Sequence, residues 1–162
     1  MATKKKQIDA IALLKTDHKK VRALLETLDQ TKAAPRRTKL LGQIEIEIKA
    51  HARIEEEIFY PAFKAKAEES DQLETYYEAQ EEHGLVHIIL PKTKASDPAG
   101  EEFGARAKVL KDLIVHHAKE EEKEMFKQAR ELFDRDELRS LGDQMERRRR
   151  EVVRELKSSA SS

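Results

Sequence analysis

The chain has 162 residues, 40% of them charged, with 32 acidic and 32 basic side chains in balance. That length suits one domain, and the balance leaves no global field to draw in nucleic acid or an anionic membrane. The absence of cysteine excludes disulfides, thiolate zinc sites, iron–sulfur clusters and cysteine nucleophiles.

Residues 1–7 read as a disordered basic tail. It lacks the apolar core and small-residue cleavage site of a signal peptide. No apolar run approaches the roughly 18 residues of a membrane span, so a soluble, cytoplasmic protein is expected. A first helix runs from about Ile8 to about Thr31 and ends before Pro35, which disfavours helix in the residue preceding it. A second runs from about Arg36 to Phe59, or through Pro61 with a kink to about Lys66. Ser70 and Asp71 offer an N-cap for the third, with Glu74 at the capping-box position; Pro91 ends or bends it. Residues 95–100 form the clearest loop. A fourth helix spans about Glu101 to Phe133, and a shorter accessory helix follows within residues 134–157. Residues 158–162 read as a flexible tail. Few glycines and prolines, with Glu, Lys, Arg, Ala and Leu dominant, fit an all-α protein. The expected architecture is an antiparallel up-down four-helix bundle over residues 8–133, plus the C-terminal helix.

Each bundle helix shows an apolar seam with three- and four-residue spacing. The first carries Ile11, Leu14, His18, Val21, Leu25 and Leu28; the second Leu41, Ile44, Ile48, His51, Glu55 and Ile58. The third carries Tyr76, Ala79, His83, His87 and Leu90; the fourth Phe103, Ala107, Leu110, Ile114, His117, Glu121, Gln128 and Leu132. All four seams turn polar at one level and then become apolar again. Ionisable groups buried without partners cost several kcal/mol, so seven on four helices call for a common partner, and a metal centre supplies one. The chain also repeats weakly. Asp17-His18 matches Glu82-His83 at a shift of 65, and His51 to Glu56 matches His117 to Glu122 at a shift of 66. Two copies of one helical hairpin, related by a pseudo-twofold, follow.

Residues four apart share a helix face, which pairs His51 with Glu55, His83 with His87 and His117 with Glu121. Mixed imidazole and carboxylate suits iron, manganese or zinc. Seven donors exceed one tetrahedral zinc and fit two six-coordinate metals. If both carboxylates and an oxide or hydroxide bridge the pair, one coordination position stays open, where dioxygen could bind end-on.

These residues resemble the hemerythrin-like, or HHE cation-binding, family. The match rests on Asp17-His18, on His51-Ala-Arg-Ile-Glu55-Glu-Glu-Ile-Phe-Tyr-Pro61, on Glu82-His83 with His87, and on His117-Ala-Lys-Glu-Glu121. The resemblance implies two non-haem iron ions with an oxo or hydroxo bridge, binding or sensing dioxygen or another small ligand. By position, His18, His51, His83, His87 and His117 would be terminal ligands, and Glu55 and Glu121 would bridge. The best-known oxygen carriers of the family place the last carboxylate, an Asp, five residues after its His. Here that position is Glu122, while the internal repeat and the seam favour Glu121. His116 aligns with Ala50 and reads as lying off the seam; Glu56 reads as part of a solvated face.

Binding or sensing of a small ligand, storage, and iron handling are the leading functional readings. A di-iron redox enzyme consuming peroxide or nitric oxide, or a metal-regulated interaction module, is the alternative. Arg147 to Arg150 read as a solvated helix face rather than a nucleic-acid contact. Leu138, Leu141, Met145, Val152 and Leu156 could dock the last helix on the bundle or on a second subunit. Because ligating imidazoles must be neutral, acid should release metal below about pH 5–6.

Overall fold

The computed structural model describes residues 8–160, and every regular element among them is helical. The expected tail at residues 1–7 lies outside the described residues. Helix α1 (Ala10–Gln30) is capped by Asp9, whose Oδ1 accepts from Ala12 N at 2.8 Å. Helix α2 (Ala34–Ile54) begins with Pro35 in its first turn, where a missing N–H costs nothing. It runs through one π-helical turn (Glu55–Phe59) into α3 (Tyr60–Lys66) without a break, Pro61 taking the first turn of that segment. Helix α4 (Ser70–Ala95) is capped one residue earlier than expected, by a reciprocal box between Glu69 and Gln72 rather than one to Glu74. Pro91 does not end it; the helix continues four residues further. Helix α5 (Glu101–Glu120) passes through a second π-helical turn (Glu121–Met125) into α6 (Phe126–Leu132). Helix α7 (Arg135–Ala160) starts on a box between Asp134 and Glu137 and absorbs residues 158–160 of the expected tail.

Helix α1 lies beside α2 and α5, and α4 beside α5 and α2. This is the expected antiparallel bundle of four rods. The fifth rod, α7, packs on α1, α2 and the first π-helical turn, so its apolar stripe docks on its own bundle. Leu138, Met145 and Val152 are buried there.

Apolar packing falls into two clusters. One holds Ile11, Leu14, Ile54, Phe59, Phe63, Phe126 and Met145; the other holds Val21, Leu25, Ile44, Leu90, Phe103 and Leu110. The polar level of the seams separates them. Tyr77 is 53% exposed, lying against Tyr76 beneath the Lys64 ammonium. No described helix is long and apolar enough to cross a membrane.

Candidate metal centre

The two π-helical turns are related by the same shift of 66 residues as the ligand motifs, and each begins on a candidate carboxylate, Glu55 or Glu121. A π turn inserts an extra residue into the helical register and is frequent at functional sites. Here it lets one rod bury a carboxylate at one level and then Phe59 and Tyr60, or Met125 and Phe126, at the next.

Six of the seven predicted donors converge between the clusters. His18, His51, Glu55 and Glu121 form one group able to share an ion, and Glu55, His83 and His117 form a second. His18 Nε2 lies 3.1 Å from Glu121 Oε1, and His83 Nε2 lies 3.3 Å from Glu55 Oε1. His51 Nε2 lies 2.9 Å from Glu55 Oε1, and His117 Nε2 lies 3.4 Å from Glu121 Oε2. Each carboxylate therefore faces an imidazole of its own hairpin and one of the other, as a carboxylate joining two ions would. Glu55 is fully buried.

Around this lies a second pseudo-symmetric layer. His51 Nδ1 is 3.1 Å from Asp17 Oδ2 and His117 Nδ1 is 2.9 Å from Glu82 Oε1. His83 Nδ1 is 3.0 Å from Glu56 Oε1 and His18 Nδ1 is 3.8 Å from Glu122 Oε1. Carboxylates behind the distal nitrogens fix ring orientation and leave the Nε2 atoms facing inward, as metal-ligating imidazoles require.

His87 is the exception. Its side chain is 51% exposed and its Nε2 lies 3.2 Å from Glu56 Oε1, outside both groups. The repeat explains this: counting back 65 residues from His87 gives Arg22, which donates to Glu122. His87 and Arg22 thus hold equivalent outer positions, each on the carboxylate behind a histidine. Glu122 is consequently an outer partner, and Glu121 is the residue that points inward. His116, 60% exposed, lies 3.2 Å from Glu82 Oε2.

Tyr60 is the residue that sequence reasoning missed. It is 1% exposed, its Oη donates to Glu121 Oε2 at 2.6 Å, and it lies 3.1 Å from His83 Nε2. Burial, then the charges of Glu121 and Glu55, push its hydroxyl well above the usual phenol range, so it stays a proton donor. Its counterpart by the repeat is Phe126, stacked on His18 at 5.8 Å between centroids. The lone hydroxyl breaks the pseudo-twofold and gives the two halves different chemistry.

The donor set fits a metal site. His18 Nε2, His51 Nε2, both Glu55 oxygens and Glu121 Oε1 are buried and make no hydrogen bond, although they sit close to one another. Buried polar groups are otherwise paired; donors crowded together without hydrogen-bond geometry are aimed at a shared centre. The protonation pattern agrees. Burial opposes charge on His117, but Glu121 and then Glu82 outweigh it and hold its pKa up at about 10. His51 is likewise pushed well above the imidazole range against its burial, by Glu55 and Asp17. Above the layer, Val21, Ile48, Val86 and Ile114 join the histidines around an apolar-walled cavity of about 50 Å³, room for a very small molecule only.

The hemerythrin HHE cation binding domain family model matches residues 9–129. The chain belongs to this family. Among solved structures, a hemerythrin HHE cation-binding domain-containing protein from Mycobacterium kansasii superposes with a TM-score of 0.78. The match covers 90% of this chain and 88% of that one at 24% identity, a likeness of fold that includes α7. Among characterised proteins, one named DNA nickase from Nostoc sp. is 32% identical over 114 residues, 70% of this chain. This chain spans 31% of that protein's length. The His/Glu cluster of this cation-binding domain is able to hold metal, and the outer carboxylates and Tyr60 surround it.

Proposed function

We propose that this hemerythrin-like bundle holds two iron ions on His18, His51, Glu55, His83, His117 and Glu121, and that it binds dioxygen or a related small ligand there. The supporting observation is the convergence of buried, unpaired donor atoms from both hairpins beneath an apolar cavity. An iron pair supplies electrons and an open coordination position that protein side chains lack. The chain's residues do the rest. Glu55 and Glu121 tie the halves together, Asp17, Glu56 and Glu82 orient the imidazoles, and Tyr60 holds a proton 2.6 Å from Glu121. Val21, Ile48, Val86 and Ile114 admit an uncharged ligand while presenting no hydrogen-bonding groups to it.

The test is elemental analysis of protein expressed with iron. Two irons per chain are expected, retained in His87→Ala and lost in His117→Ala. A protein that holds no metal after anaerobic iron reconstitution would overturn the proposal.

Metal should also compete with protons at this site. With His51, His83 and His117 all raised above the ordinary imidazole pKa, the metal-free centre carries protons at neutral pH. Loading at pH 7.5 is therefore expected to acidify a weakly buffered solution, and acid should reverse it. The stability of the metal-free fold has the same sign. The raised His117 contributes fully below about 6.5, and that contribution is lost as pH climbs towards about 10. Metal uptake with no proton release, followed by an indicator dye, would contradict this.

The match to the Nostoc relative covers 31% of that protein's length, so its name is not carried over to this chain. Within the arginine run, Arg148 donates to the exposed Glu57, and Arg149 reaches inward to Asp17 and Glu47.

A further inference from the structure

The pseudo-twofold fails in one further place, and the failure has a consistent chemistry. In the first hairpin, α7 covers the outer face of the Asp17–His51 pair. That face is built from Ala10, Leu13, Ala50, Ile54 and Ile58. The repeat carries these positions to Thr75, Glu78, His116, Glu120 and Glu124. Each of these five apolar positions is polar in the other half, and three of them are acids.

No described helix packs over that second face as α7 does over the first. It forms a cleft of about 40 Å³ lined by Thr75, Glu78, Glu82, Glu120 and Glu124, with His117 and Glu121 also in its wall. At its mouth Glu78, Glu82 and His116 each offer a donor atom within 4.8 Å of the others. Glu78 and Glu82 come from successive turns of α4, and His116 from α5. Glu82 reaches both ways, with Oε2 3.2 Å from the exposed His116 and Oε1 2.9 Å from the buried His117. Deeper still, the Glu121 side chain is 1% exposed, and its Oε1 makes no hydrogen bond. A chain of oxygen and imidazole donors thus runs from solvent to the centre. Among the described residues that line the cleft none is a lysine or arginine, although Lys123 lies 3.8 Å from Glu124 at its edge; the equivalent carboxylate in the first hairpin, Asp17, is instead closed off by Arg149.

Resting on the dinuclear reading above, we propose that this acidic cleft is the route by which divalent metal reaches the centre, with Glu78, Glu82 and His116 as its transient outer holding site. Oxygen and imidazole donors suit a hydrated divalent cation, and a cleft of one charge sign concentrates such an ion. The apolar cavity on the other side offers a cation no replacement for its water. The molecule therefore separates the cation's path from that of an uncharged ligand.

The test follows anaerobic Fe²⁺ uptake by metal-free protein in rapid mixing, comparing wild type with Glu78→Gln/Glu120→Gln/Glu124→Gln and with His116→Asn. Glu82 stays intact because it also orients His117. The triple variant is expected to load roughly tenfold more slowly at low ionic strength, with a weaker salt dependence and the same final iron content and melting temperature. His116→Asn should slow loading by a smaller factor. Wild-type uptake rates in the triple variant would overturn the proposal. So would a lower final iron content at an unchanged rate, which would make these acids part of the permanent site. Failure of wild type itself to take up iron would instead overturn the metal-centre reading, so the two failures are distinguishable.

Discussion

Gly142→Ala is expected to lower the melting temperature by roughly 6–12 °C, corresponding to about 3 kcal/mol in a chain of this size. Alanine ordinarily strengthens a helix relative to glycine, so the sign is opposite to what propensity alone gives. The reason is the closeness of α7 to the start of α1. A Cβ on Gly142 would lie 2.4 Å from the Ile8 carbonyl oxygen and 2.8 Å from Ala10 N. Both are backbone atoms beside the Asp9 cap, so no rotamer change relieves the clash; α7 must lift or α1 must uncap. Lifting α7 would expose Leu138 and Met145, which the helix buries against the first cluster. Gly42→Ala is the control. Gly42 sits within α2 with nothing inside 4 Å of its would-be Cβ, and there alanine should raise stability by about 0.5–1 kcal/mol. If Gly142→Ala melts with wild type while Gly42→Ala rises, the close docking of α7 does not exist in solution.

Most of the centre was legible because burial and chemistry conflicted in the sequence itself. A histidine or glutamate at an apolar seam position is conspicuous, and six such positions converge as expected. Other features were not legible, each for a physical reason. The π-helical turns shift register by one residue. Extrapolating the seam from Glu55 therefore gave Ile58, which is only partly buried, while Phe59 and Tyr60 take the inner positions. Tyr60 was hidden by the same shift, although its alignment with Phe126 marked a place where the halves differ. His87 kept the four-residue spacing from His83, yet the repeat already placed it opposite Arg22, a residue with no reason to enter a cation site. Asp17 and Glu82 were visible as repeat markers beside His18 and His83. Their partners, His51 and His117 on the neighbouring rods, depend on tertiary placement that spacing does not encode. The apolar stripe of α7 was readable, whereas the contacts of its arginines span about a hundred residues of chain or more, too far for local pattern to report.

Arg149→Met is expected to weaken metal binding by up to roughly 10-fold, the low end of the effect of losing a ligand's outer partner because the arginine acts on that partner, Asp17, and to destabilise the metal-free protein by about 3 kcal/mol. The arginine reaches in from α7. Its Nε lies 2.9 Å from Asp17 Oδ1, and its Nη2 donates to Glu47. Asp17 is 4% exposed and Glu47 is 8% exposed, so removing the guanidinium leaves Asp17 with His51 alone and Glu47 with Lys20 alone. Asp17 in turn sits behind His51 Nδ1 at 3.1 Å. Burial works to raise the Asp17 pKa, and His51 and Arg149 together overcome it. Without Arg149, Asp17 gains protons more readily and holds the imidazole less firmly, so the loss passes to the metal through orientation rather than contact. Two comparisons separate this from simple loss of helix docking. Arg148→Met removes a neighbouring guanidinium that meets exposed Glu57 and Glu151; it should leave metal affinity unchanged. Combining Asp17→Asn with Arg149→Met should weaken metal binding by less than the product of the single effects, because both substitutions disable one path. An Arg149→Met protein that is less stable but binds iron with wild-type affinity would reduce the arginine to a fastening for α7.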